Sequence, residues 1–359
     1  MNRLTRATCP TAAAAVLALA LIQFHSGGAL ADGGKLKVLA TTTDLREIAK
    51  EVGGDDVAVT CLMKGPEDPH FLDARPSFVK AAADADALVL TGMELEIGYE
   101  PLLLSESRNA KIQKGQPGYV DCSAGVAALE IPVGGVDRSL GDVHPMGNPH
   151  YLTDPVWGKN AAKILAEALA VIDPSHGEAY RKRATDFQHR VDVAMWGEAL
   201  VAAQKPERLE KRLADGTLAA FLKQHELADK LGGLAAELAP FAGRKVVAYH
   251  GTMLYLLERF HLAEIGQLEP KPGIPPSPRH LAELEDRMRA DAAKVVIYNA
   301  YQPERTAKAV ATEVEGEAVK LAHMPDSLPG TATYIDTLTY NVKSLAQALR
   351  ATTPAEAAK

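Results

Sequence analysis

Twice along this chain, apolar runs of strand length alternate with segments of helical period, and a long purely helical stretch separates the two patterns. In the first pattern short apolar runs fall at 37–43, 57–63, 87–91 and 118–122, the third of them almost continuous, with helical segments at 45–52 and 77–85 between them. A strand with one wet face alternates apolar and polar residues, whereas a continuous run needs cover on both faces. Helices placed between such strands supply that cover, so each pattern predicts a parallel α/β sheet. The second pattern has strands at 245–250, 262–268, 294–298 and 318–321, helices at 253–260, 278–290 and 305–314, and a closing helix at 334–349. Between the two, helical period resumes at 156, breaks at Asp173-Pro174, and continues so that 180–203 reads as one strut. The expected class is therefore α/β, with two lobes joined by a single long helix. The boundaries read as a leader at 1–31, an N-terminal lobe at 32–172, a linking helix with a helical insertion at 173–240, and a C-terminal lobe at 241–359. Within the third segment, 205–226 is charged and rich in helix formers, and it reads as an exposed insertion.

The first residues belong to a different grammar. Arg3 and Arg6 precede a short apolar stretch at 12–22, and Ala29-Leu30-Ala31 offers the small-x-small pattern of a signal-peptidase site. The stretch is shorter than the roughly twenty apolar residues that span a bilayer. Cys9 precedes it, so no cysteine stands in lipoprotein position, and the reading is a mature chain starting near Asp32 in the periplasm. A formal net charge of -7 with no cluster of Lys and Arg speaks against nucleic acid as a partner. Cys61 and Cys122 each end an apolar run and read as buried thiols, although an exported chain also permits a disulfide.

Eleven histidines are present, and three sit where α/β sheets collect ligands, at or beyond the C-terminal ends of strands. His70 follows the second run in Asp68-Pro69-His70, on a loop that proline pre-shapes. His150 lies in Asn148-Pro149-His150, inside a loop at 134–155 dominated by Gly, Pro and Asp. His250 ends the run 246–249 and precedes Gly251. Imidazole nitrogen suits zinc, copper, nickel and iron better than magnesium or calcium. Several imidazoles with one carboxylate hold a divalent ion tetrahedrally. No pair has the i, i+4 spacing of a metalloprotease helix, so the three must converge through the fold. His144, six residues before His150, reads as a brace for its loop with a second ligand from that loop as the alternative, and His323 is a reserve ligand. Asp326, on the loop that ends at Gly330, is a ligand candidate or a turn former in equal measure.

Five stretches in order resemble the solute-binding proteins of the zinc/manganese group of ABC importers. They are Gly65-Pro-Glu-Asp-Pro-His70, Gly147-Asn-Pro-His-Tyr-Leu-Thr-Asp-Pro155, Val246-Val-Ala-Tyr-His250, Pro272-Gly-Ile-Pro-Pro-Ser-Pro278 and Thr333-Tyr-Ile-Asp-Thr-Leu-Thr-Tyr-Asn-Val342. The resemblance implies two α/β lobes with one metal in the cleft between them, held by His70, His150 and His250. Asp326 matches the family's fourth ligand, with water, His323 or another carboxylate as alternatives. Histidine at the third position implies Zn2+ as cargo ahead of Mn2+ or Fe2+. The implied partner is the permease subunit of an importer, with a metallochaperone as a second candidate, and a monomer is expected. The histidine-rich loop of many zinc receptors has no counterpart, since 134–150 holds only two histidines. The implied activity is capture rather than catalysis. The rival class is a secreted zinc hydrolase on the same histidines, with Glu67 or Asp68 as its base.

Overall fold

The computed structural model describes residues 34–134, 144–271 and 273–353. The leader and Cys9 lie outside these residues, as does 135–143 within the Gly/Pro loop.

Both sheets form, and every strand pairing in them is parallel. The first takes the order β2-β1-β3-β4, from β1 (Leu36–Ala40), β2 (Val57–Cys61), β3 (Ala87–Leu90) and β4 (Tyr119–Asp121). The second takes the matching order β6-β5-β7-β8, from β5 (Lys245–Ala248), β6 (Ala263–Gln267), β7 (Val295–Asn299) and β8 (Glu317–Leu321). The period of two explains the continuous apolar runs. Leu36, Val38 and Ala40 of β1 face one core while Leu39 faces another. In the second sheet Val246, Ala248, Val295 and Ile297 join that first core, and Val247, Tyr249, Val296 and Tyr298 line a third. One core thus runs through both lobes, and each sheet keeps a smaller core on its far side.

Helices build the shared core. In the N-terminal lobe α1 (Thr43–Gly53), α2 (Pro76–Asp84) and α3 (Glu100–Ser107) lead to α4 (Pro155–Ile172), which packs along α5 (Gly177–Trp196). The strut is shorter than the sequence reading of 180–203. Gly197, at φ 81°, breaks it, and α6 (Glu198–Ala203) starts in a new direction. A Cβ on Gly197 would lie 2.9 Å from the Gly232 Cα, and Gly232 donates its N–H to the Trp196 carbonyl at 2.9 Å. The break is thus a close backbone crossing that only glycine permits.

The expected exposed insertion is instead docked. It forms α7 (Pro206–Ala214) and α8 (Leu218–Gln224), which bury Leu209, Leu218, Phe221 and Leu222. Lys159 bonds Asp192 and Glu210, tying α4, α5 and α7 together. After α9 (Gly233–Leu238) the second lobe adds α10 (Leu254–Arg259), α11 (Pro278–Ala290), α12 (Glu304–Glu313) and α13 (Tyr334–Ala351). Among the described residues no helix is long and apolar enough to cross a membrane. The two cysteines among the described residues are free thiols, Cys61 half-buried and Cys122 buried, and burial pushes the Cys61 thiol up to about 11.

Several polar ties cross between the lobes. The Tyr334 hydroxyl of α13 donates to the Leu152 carbonyl at 2.8 Å, and a Cβ on Gly158 would lie 2.1 Å from that hydroxyl oxygen. Replacing a helical glycine by alanine ordinarily gains about 1 kcal/mol. Here Gly158→Ala is expected to lose stability, by about 1–3 kcal/mol through overpacking and the displaced hydrogen bond. Urea unfolding of the metal-free protein checks the sign.

Candidate metal centre

Each candidate histidine is presented at a short 3-10 turn. After β2 the chain makes a 3-10 turn, Pro69–Phe71, capped by Asp68, whose Oδ1 accepts the His70 N–H at 3.0 Å. The same oxygen lies 2.9 Å from His70 Nδ1. An Nδ1 proton donated to Asp68 leaves Nε2 with a free lone pair, which is how a carboxylate orients a ligating imidazole. Burial alone would raise the Asp68 carboxyl, but the His70 hydrogen bond holds it below its ordinary value.

His150 is set by Asn148, whose Oδ1 accepts the His150 N–H at 2.9 Å. Asn148 also reaches across the cleft, donating from Nδ2 to the Gly251 carbonyl at 2.8 Å, while its own carbonyl accepts from Tyr255 at 2.9 Å. His250, one residue past Tyr249 just beyond β5, stands immediately before the 3-10 turn Gly251–Met253. Its Nδ1 stands 3.3 Å from a Glu269 carboxylate oxygen without making a hydrogen bond. One asparagine thus spaces the His150 loop against the His250 turn.

These turns bring three rings from two lobes together. Ring centroids lie 5.0 Å apart for His70 and His150, and 5.4 Å for both pairs with His250. One ring nitrogen from each falls within 4.8 Å of the other two. The His70 and His250 side chains are only 5% and 11% exposed. His70 Nε2, His150 Nε2 and His250 Nδ1 are buried, with no hydrogen-bond partner among the described residues. Buried imidazole nitrogens are ordinarily paired, so the unpaired Nε2 atoms of His70 and His150 in this cluster call for an electrophile, while His250 Nδ1 turns to Glu269. Zinc holds nitrogen at about 2.0–2.1 Å, so the rings need to draw in by roughly an ångström to share one ion. Burial, then the neighbouring imidazoles, push the His150 pKa well below its ordinary value. That keeps the ring neutral, the form a metal requires.

The remaining candidates are placed elsewhere. Asp326 stands outside the trio: its carboxylate pairs with Arg46 of α1 at 2.5 Å, and its side chain is half exposed. His323 is a lobe bridge, with its Nε2 3.0 Å from the Glu67 carbonyl and its ring edge-on to Tyr301. Glu269 and the orienting role of Asp68 and Asn148 had no local sequence signal. Glu269 follows β6 in an ordinary Leu-Glu-Pro step, and only the folded neighbour His250 marks it.

Burial carries the His323 pKa down to about 4, so the folded chain keeps this ring neutral while the unfolded chain protonates it near 6.5. The unfolded state binds the proton first, so the contribution is complete above pH 6.5 and is lost as pH falls towards 4. In the metal-free protein the expected loss from His323 alone is about 3 kcal/mol across that window, and buried His150 adds to it in the same direction. Denaturation midpoints between pH 7 and 4 measure it, and His323→Asn should flatten the slope.

The model of a family described as zinc-uptake complex component A, periplasmic, matches residues 38–208 and 215–348. The manganese ABC transporter substrate-binding lipoprotein PsaA of Streptococcus anginosus is 30% identical over 175 residues, 48% of this chain and 54% of that protein. The chain spans about half the length of the streptococcal relatives it matches first. The iron-binding protein YfeA of Yersinia pestis is 25% identical over 321 residues, 87% of this chain and 86% of that one. A crystal structure of ZnuA superposes with a TM-score of 0.65 at 20% identity, covering 88% of this chain and 100% of that one. FpvC of Pseudomonas aeruginosa in complex with Mn2+ also gives 0.65 at 20% identity, over 89% and 100%. These likenesses establish the fold of two parallel α/β lobes.

Proposed function

The chain belongs to the zinc-uptake complex component A family, and from that premise we propose that it is a periplasmic receptor that captures Zn2+ and delivers it to an ABC importer. The observation that carries the reading is one ring nitrogen from each of three histidines, two from one lobe and one from the other, all within 4.8 Å of one another. His70, His150 and His250 are the proposed ligands. The relatives are named for manganese, iron and zinc, so the family alone leaves the metal open. The donor set supports zinc, because neutral imidazoles suit it while manganese favours carboxylate and water oxygens. The ion here is cargo, not a catalytic Lewis acid.

Capture would work by differential affinity: an ion that needs ligands from both lobes favours the arrangement in which they meet. The shared core and the inter-lobe ties limit the amplitude, so the proposed motion is a small tilt rather than wide hinge closure. An importer permease would read the metal-closed surface and withdraw the ion. A metallochaperone as donor and a monomeric state belong to the same proposal.

Calorimetric titration of demetallated mature protein with zinc and with manganese tests it. One-to-one zinc binding that vanishes in a His70→Ala/His250→Ala double variant, with weak manganese binding, is expected. Equal or tighter manganese binding, or zinc binding untouched in the variant, sinks the zinc reading. Removing the carboxylate behind His70, by Asp68→Ala, is expected to cost about 10–100-fold in zinc affinity, because the ring then loses its fixed orientation. The same titration reads that loss.

A further inference from the structure

We infer that His144 supplies the fourth ligand and completes an all-imidazole site, in place of an aspartate. The inference rests on the reading of the three-histidine cluster as a metal site. His144 Nε2 is buried and has no hydrogen-bond partner among the described residues, the same condition as the other three rings. Its ring centroid lies 5.3 Å from that of His70, within the 5.0–5.4 Å range of the trio, and its nitrogen stands outside the 4.8 Å cluster, so the ring has to swing in to reach a shared ion.

The backbone explains why this ring is there at all. His144-Pro145-Met146-Gly147 closes a turn, with the Gly147 N–H donating to the His144 carbonyl at 3.0 Å. Proline pre-sets the first corner of such a turn. Gly147 takes φ 98°, and a Cβ there would lie 2.6 Å from the Leu129 carbonyl oxygen. The next residue, Asn148, is pinned to Leu129 and to Gly251. The turn therefore sets the His144 ring beside His70, on the same loop that carries His150 three residues beyond Gly147. One loop then offers two nitrogens to one ion, six residues apart.

The competing donors are committed elsewhere. Asp326 is paired with Arg46, and the neighbouring Pro325 carbonyl accepts from Thr43 at 2.7 Å, which holds that loop to α1. Glu269 accepts the Gly273 N–H at 3.2 Å while it faces His250, the position of a group that orients a ligand. Four neutral imidazoles suit the tetrahedral preference of zinc and offer manganese no oxygen. His144 is thus also a specificity residue, since its loss would open a position to water.

The test is X-ray absorption on the zinc-loaded protein together with the visible spectrum of the cobalt(II)-loaded protein, for the wild type, His144→Ala, His144→Gln, Asp326→Ala and His150→Ala. Four imidazoles in the wild type are expected, with three and an oxygen in both His144 variants. Zinc affinity in those variants should fall by about 10–100-fold, at least the loss known for orienting groups. Asp326→Ala should change neither spectrum nor affinity. Equal melting temperatures of the metal-free forms separate a lost ligand from a lost fold, and His144→Gln keeps the side-chain bulk. Unchanged affinity and spectra in both His144 variants, or a changed spectrum in Asp326→Ala, overturns the assignment of His144. If His150→Ala also binds zinc as the wild type does, the three-histidine reading itself falls.

Discussion

A His150→Ala protein is expected to fold normally and to bind zinc more than about 100-fold less tightly, at least ~3 kcal/mol in binding free energy. The fold should survive because what positions this loop is backbone and Asn148, not the imidazole. The Asn148 side chain caps the His150 N–H, and Thr153 donates to the His150 carbonyl at 2.9 Å, both of which alanine retains. The ring itself carries no structural hydrogen bond through its Nε2. Removing a polar ring with a buried unpaired nitrogen even relieves a desolvation cost in the metal-free state. The metal-free variant is therefore expected to melt no lower than the wild type. Zinc, which raises the wild-type melting temperature by binding only the folded chain, should scarcely move that of the variant. Thermal scans with and without zinc read both halves of this expectation.

The largest effect on stability is expected at Arg259. Its guanidinium of α10 forks both oxygens of Asp154, with Nε at 3.0 and 2.9 Å and a terminal nitrogen at 2.7 Å. Asp154 is 2% exposed and also caps α4 through the Val156 N–H at 2.9 Å. Arg259→Ala leaves a carboxylate buried without its counter-ion, and such a change costs about 3–5 kcal/mol. Removing both charges, as Asp154→Asn with Arg259→Met, should cost less than Arg259→Ala alone, because no unpaired charge remains. Urea unfolding of the three metal-free proteins settles the order. The pair joins the two lobes four residues beyond His150, so Arg259→Ala should also weaken zinc binding.

Much of this architecture is legible in local sequence. The runs around Val38, Val89, Val247 and Val296 are apolar on both faces because each strand lies between two cores, and that alone points to covered parallel sheets. His70, His150 and His250 stand out because each follows a strand or rides its loop, and the fold does bring their rings within 5.4 Å. What stays hidden depends on partners distant in sequence. The strut ends at Gly197 because Gly232 crosses there, and nothing between 180 and 203 announces the crossing. Leu209 and Phe221 look like residues of a solvated helix pair until α4 and α5 offer a surface to dock on. The surroundings of Asp326 are decided by Arg46, 280 residues earlier. In sequence His144 reads first as a loop brace and second as a ligand, and only the fold shows that its Nε2 is left unpaired beside His70.

The central claim is that one ion sits between the lobes on imidazoles from both. Anomalous diffraction at the zinc edge, from crystals of demetallated protein reloaded with one equivalent of zinc, tests it most directly. The account predicts a single peak about 2.0–2.1 Å from one nitrogen each of His70, His150 and His250. A peak elsewhere, or one that touches only the histidines of a single lobe, would contradict it.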